Sequence, residues 1–199
     1  MPLIVIVGGP CCGKTTTAVK IKDFLEKEKD KKVILINEET LGVNKLDFYK
    51  DSTSEKIIRA KLKSNVEKNL DDKSIVIIDS MNYIKGYRYE LYCLVRTFQT
   101  RHCIVYIPVI NQVYCKAELD VCLKLNNNNV YPEDLLKDLY SRMEEPNPNS
   151  KEIDYIRQMG QPDGVNQLWR GNKFRSNLQQ FSRREKAARS SIDKERQHI

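Results

Sequence analysis

The chain has 199 residues, 40% hydrophobic and 31% charged, a length that suits one α/β domain with a small appendage. No apolar run reaches the roughly 18–20 residues of a membrane span, and the six cysteines (Cys11, Cys12, Cys93, Cys103, Cys115, Cys122) contain no CxxC pair and no histidine partner at metal-site spacing. The net charge of +7 is unevenly placed: residues 165–199 hold nine Lys and Arg against three Asp and Glu, so an acidic partner is expected to meet this tail and not the near-neutral body.

The N-terminus passes from Met1-Pro2 directly into Leu3–Val7, an all-apolar run with no basic stretch before it and no cleavage site after it. This reads as a strand buried on both faces and not as a signal peptide, with reduced thiols in an intracellular compartment. Lys14 to about Lys29 is expected to be helical, with Ala18, Ile21 and Leu25 on one stripe. Val33–Ile36 is a second strand. Ser52 with Glu55 offers a capping box that opens a helix through Leu70, whose Ile58, Leu62 and Val66 share a face. Ser74–Ile78 is a third strand and Cys103–Val109 a fourth, joined by a helix from about Tyr87 to Thr100.

Asn126–Asn129 is a polar loop, and Pro132 stands where a first-turn proline belongs, ahead of a helix to Met143. Glu144–Ser150, with two prolines, begins a linker over 148–164, and Ile153–Ile156 is too short and polar for a fifth strand. Phe174, Leu178, Phe181, Ala188 and Ile192 recur at helical spacing within the basic tail, 165–199. The alternation of strands and helices predicts a doubly wound parallel sheet of the P-loop kinase-like α/β class over 1–147, with the Asp79 strand beside the first, followed by a basic helical or disordered tail.

Gly8-Gly-Pro-Cys-Cys-Gly13-Lys14-Thr15 satisfies G-x-x-x-x-G-K-[ST] between a strand and an amphipathic helix. Gly8, Gly9, Pro10, Cys11, Cys12, Gly13, Lys14, Thr15 and Thr16 form the expected phosphate cradle. The glycines let backbone N–H groups approach phosphate oxygens, the helix adds its positive dipole end, Lys14 reaches the β- and γ-phosphates, and the Thr15 hydroxyl can ligate Mg²⁺. Ile75-Val-Ile-Ile-Asp79 ends a buried strand in an acid at the ligand edge of the sheet, where Asp79 either holds Mg²⁺ or caps the next turn. Glu38 and Glu39 follow the second strand and either orient a nucleophile or are solvated loop acids. Cys11 and Cys12 read as small side chains beneath the phosphates, with a lowered thiol pKa at the helix N-terminus as the alternative. Asn44-Lys45-Leu46-Asp47 spells a guanine-reading motif, but it precedes the Asp79 strand, so adenine is the expected base.

Met1-Pro-Leu, the P-loop, Asn37-Glu-Glu-Thr-Leu-Gly42, the segment Asp79-Ser-Met-Asn-Tyr-Ile-Lys-Gly-Tyr-Arg-Tyr-Glu-Leu-Tyr-Cys93 and Arg142-Met-Glu-Glu-Pro-Asn147 together resemble the KTI-twelve (killer toxin insensitivity) family of Elongator-associated P-loop ATPases. The kinase that acts on seryl-tRNA for selenocysteine synthesis is a more distant likeness. The resemblance implies ATP and Mg²⁺ as cofactors, tRNA and the Elongator complex as partners, support of wobble-uridine modification, and a cytoplasmic and nuclear location. It implies ATP at Gly8–Thr15, magnesium at Asp79, Glu38 or Glu39 in the acidic position after the second strand, and a phosphate-facing role for Arg142 on a lid-like helix, where the residue by itself reads equally as an exposed helical arginine. Asn82, Tyr83, Lys85 and Arg88 fall in the signature loop, where the Lys and Arg are expected to face a phosphate or RNA backbone. After Asn147 the residues depart from the family pattern, and the expectation is a divergent, truncated or alternatively spliced chain. Arg170, Lys173, Arg175, Arg183, Arg184 and Arg189 then either contact RNA phosphates or form a solvated end. From the residues alone a kinase for a hydroxyl of RNA or a small molecule, and a non-catalytic ATP-dependent binding module, stay open beside the ATPase.

Overall fold

Leu3–Val7 (β1) is buried at every position, as a strand must be when helices cover both faces of a parallel sheet. It lies in the middle of the sheet in this computed structural model, which describes residues 3–28, 32–71, 73–107, 126, 131–147 and 156–158. All of these fall within one compact unit, Met1–Gly160.

Lys14–Glu28 (α1) follows the P-loop, and Lys32–Asn37 (β2), Ser74–Asp79 (β3) and His102–Tyr106 (β4) supply further strands. The described strands run in the order β2-β3-β1-β4 and then Ile156–Gln158 (β5), with every pairing parallel. Asp79 is therefore in register with Ile6 and Asn37, and the acid ends one strand away from the start of the P-loop. This is the doubly wound, P-loop kinase-like arrangement expected from the alternating elements.

Lys45–Tyr49 (α2) and Ser52–Asn69 (α3) pack together on one side, while Lys85–Thr97 (α4) connects β3 to β4. Ile58, Leu62 and Val66 of α3 and Leu91, Leu94 and Val95 of α4 join Leu3, Val5, Val76 and Ile78 of the sheet in one core cluster. Glu133–Ser141 (α5) buries Leu136 and Leu139 in the same cluster.

Several boundaries differ from the sequence reading. The N-cap of α3 is Asp51 and not Ser52: one Asp51 oxygen accepts from the Thr53 and Ser54 N–H groups at 2.9 and 2.8 Å, and the other from the Ser54 hydroxyl at 2.9 Å. A carboxylate satisfies two orphan helix donors at once, so the cap lies one residue earlier, and Glu55 is buried. Helix α4 starts two residues earlier than expected, at Lys85. Pro132 caps α5, which begins at Glu133.

The largest difference is a fifth strand, Ile156–Gln158 (β5), inside the segment read as a linker; it pairs in parallel with Ile104–Tyr106. A three-residue edge is specified by backbone pairing with its neighbour, so no apolar run announces it. The outer part of the expected fourth strand, most of the polar loop at 126–129 and the basic tail at 165–199 lie outside the described residues.

Candidate functional site

The P-loop starts where β1 runs out of partners. The Gly8 N–H donates to the Met81 carbonyl at 3.3 Å, tying the loop to the turn after β3. A Cβ on Gly8 would lie 2.6 Å from the Cys12 sulfur and 2.8 Å from the Ile107 carbonyl oxygen, so only glycine fits. Gly13 has φ +87° just before α1 begins, a conformation that a side chain would strain. Cys11 also sits in the left-handed region, at φ 58°. Gly8, Gly9 and Pro10 are buried beneath the loop, whereas Thr15 and Thr16 are exposed at its mouth.

Above the loop is a cavity of about 290 Å³ whose lining includes Cys11, Gly13, Lys14, Thr15 and Thr16 on one side and Glu38, Asp79 and Ser80 on the other. The Lys14 ammonium folds onto the Gly9 carbonyl and lies 3.9 Å from the Cys12 sulfur. The Thr15 hydroxyl lies beside the Asp79 carboxylate on the cavity wall. Burial raises the Asp79 pKa, against the opposing pull of that hydroxyl and of Lys14. Thr15 and Asp79 thus present two hard oxygen donors side by side, a set that suits Mg²⁺, which takes one or two protein oxygens and completes its shell with phosphates and water. Among the described residues there is no group of three or more His, Cys, Asp or Glu side chains that would hold a metal ion without a substrate.

The two candidate acids part company. Glu38 is 4% exposed, lines the cavity and accepts a hydrogen bond from the Ser80 hydroxyl at 2.6 Å. Burial raises its pKa, and the Ser80 bond opposes the rise. Glu39 is exposed, begins a short 3₁₀ turn through Leu41, and faces Lys45 at 3.8 Å. Only Glu38 is placed to act on a group inside the cavity.

Arg142 is held differently from the sequence reading. It is absent from the cavity lining, and its guanidinium is engaged by Glu55 at 2.9 Å, Asp138 at 2.7 Å and the Tyr83 hydroxyl at 2.7 Å. Two carboxylates already answer its charge, so a phosphate would have to displace them. Arg88 departs further: it is wholly buried, and donates to the Asn82 and Tyr83 carbonyls at 3.0 and 2.8 Å. It braces the signature loop from within and cannot face an RNA backbone. Lys85 is exposed at the start of α4, where its N–H donates to the Glu144 carboxylate. Tyr83 is buried among the same contacts, and Asn82, at φ 48°, donates to the Ile6 carbonyl at 2.7 Å.

Lys45, Tyr49, Met81, Asn126 and Tyr131 also line the cavity, and sequence reasoning did not single them out for this. Lys45 belongs to the misplaced guanine motif, whose Asn44 side chain caps α2, accepting from the Leu46 N–H at 2.9 Å. Asn126 closes the loop before α5 by donating to the Tyr131 carbonyl at 2.7 Å and accepting from its N–H at 3.1 Å. The Cys11 thiol has its pKa pushed up by burial, more than Lys14 lowers it, which fits a space-filling role better than an activated thiolate.

The model of the family described as chromatin associated protein KTI12 matches residues 1–152. Protein kti12 of Schizosaccharomyces pombe is 40% identical over 157 residues, covering 74% of this chain and 53% of the relative. The chain spans about half the length of the curated relatives it matches. Among solved structures, Chaetomium thermophilum Kti12 in complex with ADP-AlF3 is similar with a TM-score of 0.68 at 30% identity, covering 83% of this chain and 94% of that one. The Mycobacterium tuberculosis APS kinase CysC in complex with AMPPNP and APS has a TM-score of 0.61 at 11% identity, covering 84% and 94% of the two chains. At that identity it is a likeness of fold alone.

Proposed function

The chain belongs to the KTI12 family, and from that premise we propose that it binds ATP with Mg²⁺ and hydrolyses it as an Elongator-associated regulator of tRNA wobble-uridine modification, in the cytoplasm and nucleus. The observation that carries the nucleotide reading is the meeting of Lys14, Thr15 and Asp79 at one cavity, with the Thr15 hydroxyl beside the Asp79 carboxylate. Mg²⁺, held by Thr15 and Asp79, would supply neutralisation of the phosphate charge. The protein's own part is to hold the phosphates against the α1 N-terminus, to offer the Lys14 charge, and to keep Glu38 buried beside the reacting end. The complex of the Chaetomium thermophilum relative with ADP-AlF3 supports the same ligand class.

The Elongator and tRNA parts of the reading rest on the family resemblance of the Asp79–Cys93 segment. ATP turnover by this chain with and without tRNA tests them together with the chemistry. Phosphate release that rises with tRNA is the expected result; nucleotide binding with no turnover in either condition would leave a binding module.

A second reading has one observation in its favour. Glu38 is a buried carboxylate with a raised pKa on the cavity wall facing the P-loop, a placement that suits proton abstraction from an acceptor hydroxyl as well as from water. Radiolabelled γ-phosphate appearing on an RNA or a small molecule would establish a kinase, and label recovered only as inorganic phosphate would eliminate one.

A further inference from the structure

Glu55, in the first turn of α3, is 2% exposed, although a glutamate is almost never fully buried unless it is paired. Its carboxylate gathers three donors from three parts of the chain. One oxygen accepts from Arg59 at 2.7 Å and from the Tyr83 hydroxyl at 2.7 Å, and the other accepts from Arg142 at 2.9 Å. Arg142 also donates to the Tyr83 hydroxyl at 2.7 Å, so Glu55, Tyr83 and Arg142 form a closed triangle.

Tyr83 belongs to the loop whose Ser80 and Met81 line the nucleotide cavity, and Arg142 ends the helix that follows the cavity residue Tyr131. Tyr83 ends the loop that starts at Ser80. Along that loop the Ser80 hydroxyl donates to Glu38, the Met81 carbonyl accepts from Gly8, and the Asn82 amide donates to the Ile6 carbonyl. Every residue from 80 to 82 is thus bonded to the P-loop strand, the P-loop or its facing acid. Arg142 stands at the other end of α5 from Tyr131, which lines the cavity. The Tyr83 carbonyl accepts from the Glu144 N–H at 3.2 Å, joining the two elements a second time.

We propose that Glu55 is a positioning residue for the nucleotide cavity, fastening the loop after Asp79 through Tyr83 and, through Arg142, the helix α5 that follows the lining residue Tyr131. The inference rests on the ATP-binding reading above. A carboxylate is required because its two oxygens serve three donors at once. Glutamine would present an N–H₂ group to one guanidinium and release it.

The test measures the Kd of a fluorescent ATP analogue with Mg²⁺ for the wild type, Glu55→Gln, Arg142→Met and the double variant, with circular dichroism confirming that each is folded. Each single variant is expected to bind at least about fivefold more weakly, the lower end of common coupling between sites. The double variant is expected to be no worse than the weaker single, since both break one linkage. Tyr83→Phe, which leaves both ion pairs in place, should give a smaller shift and serves if Glu55→Gln does not fold. Glu55→Asp should recover part of the affinity.

A folded Glu55→Gln protein that melts earlier but binds ATP as the wild type does would make Glu55 a stability residue only and overturn the proposal; so would fully additive effects. Amide exchange without nucleotide keeps this outcome apart from failure of the ATP reading. Glu55→Gln should speed exchange at the Gly8 and Tyr131 N–H groups, and unchanged exchange there overturns the proposal even if the wild type binds no ATP.

Discussion

The Ser80 hydroxyl donates to the Glu38 carboxylate at 2.6 Å, across 42 positions of sequence. This bond joins the residue after the Asp79 strand to the residue after β2, and fixes which of two adjacent acids enters the cavity. Glu38→Gln is therefore expected to lower ATP turnover by roughly 10²- to 10⁴-fold, the range for loss of a general base, with nucleotide affinity largely kept. Glu39→Gln, at an exposed side chain, should leave turnover near wild type. Equal losses in single-turnover measurements of the two variants would refute the assignment.

Asp79 and Lys14 act on the same ligand by different physics, and their variants should separate. Lys14→Ala removes a charge-assisted contact and is expected to weaken ATP binding by about 10- to 100-fold. Asp79→Asn should raise the Mg²⁺ needed for half-maximal activity by about 10- to 100-fold. Burial opposes charge on the Asp79 carboxylate, so the neutral amide should leave the melting temperature of the nucleotide-free protein unchanged or higher. A clear drop in melting temperature would show that Asp79 is first a structural residue.

Gly8→Ala is a steric test of the P-loop. The new Cβ would meet the Cys12 sulfur at 2.6 Å and the Ile107 carbonyl oxygen at 2.8 Å. Overpacking of this kind costs about 1–3 kcal/mol, read by chemical denaturation, with ATP affinity falling as the loop shifts. Adding Cys12→Ala relieves the sulfur contact but not the backbone carbonyl, so the double variant should regain only part of the loss. Full recovery would place the whole constraint on Cys12.

Asp51 gives a pH signature far from the site. Hydrogen bonds from Ser54 and Thr53 hold its carboxyl below the usual range, so its stabilising effect is complete above the unfolded pKa and is lost as pH falls through the lower folded value. Asp51→Ala should lower the melting temperature at neutral pH and match the wild type in strong acid. Asp51→Asn, a comparable N-cap, should keep most of the neutral-pH stability and flatten the acid limb. Thermal melts between pH 2 and 7 check both; an Asp51→Ala deficit that persists undiminished at pH 2 would contradict the capping role.

The P-loop and the strand ending in Asp79 were legible in the sequence because their information is local. A strand buried on both faces must be apolar throughout, a tight phosphate loop needs glycine at set positions, and the acid follows directly on the apolar run. Glu38 and Glu39 were both visible as candidates, but adjacent residues in a turn point in different directions, and only Ser80 and the neighbouring cavity chose between them.

Glu55 read as half of a capping box and Arg142 as a phosphate contact, yet they meet each other 87 positions apart. Arg88 read as a basic group for a phosphate or RNA backbone, and the fold buried it against two carbonyls. Strand β5 carried no apolar signal because a short edge strand is defined by the neighbour whose N–H and C=O groups it pairs. Local periodicity and turn chemistry thus settled the elements and the phosphate loop in the sequence alone. The partners of buried charges were decided by the tertiary structure, because a desolvated carboxylate or guanidinium takes whichever opposite group the packed helices bring within about 3 Å.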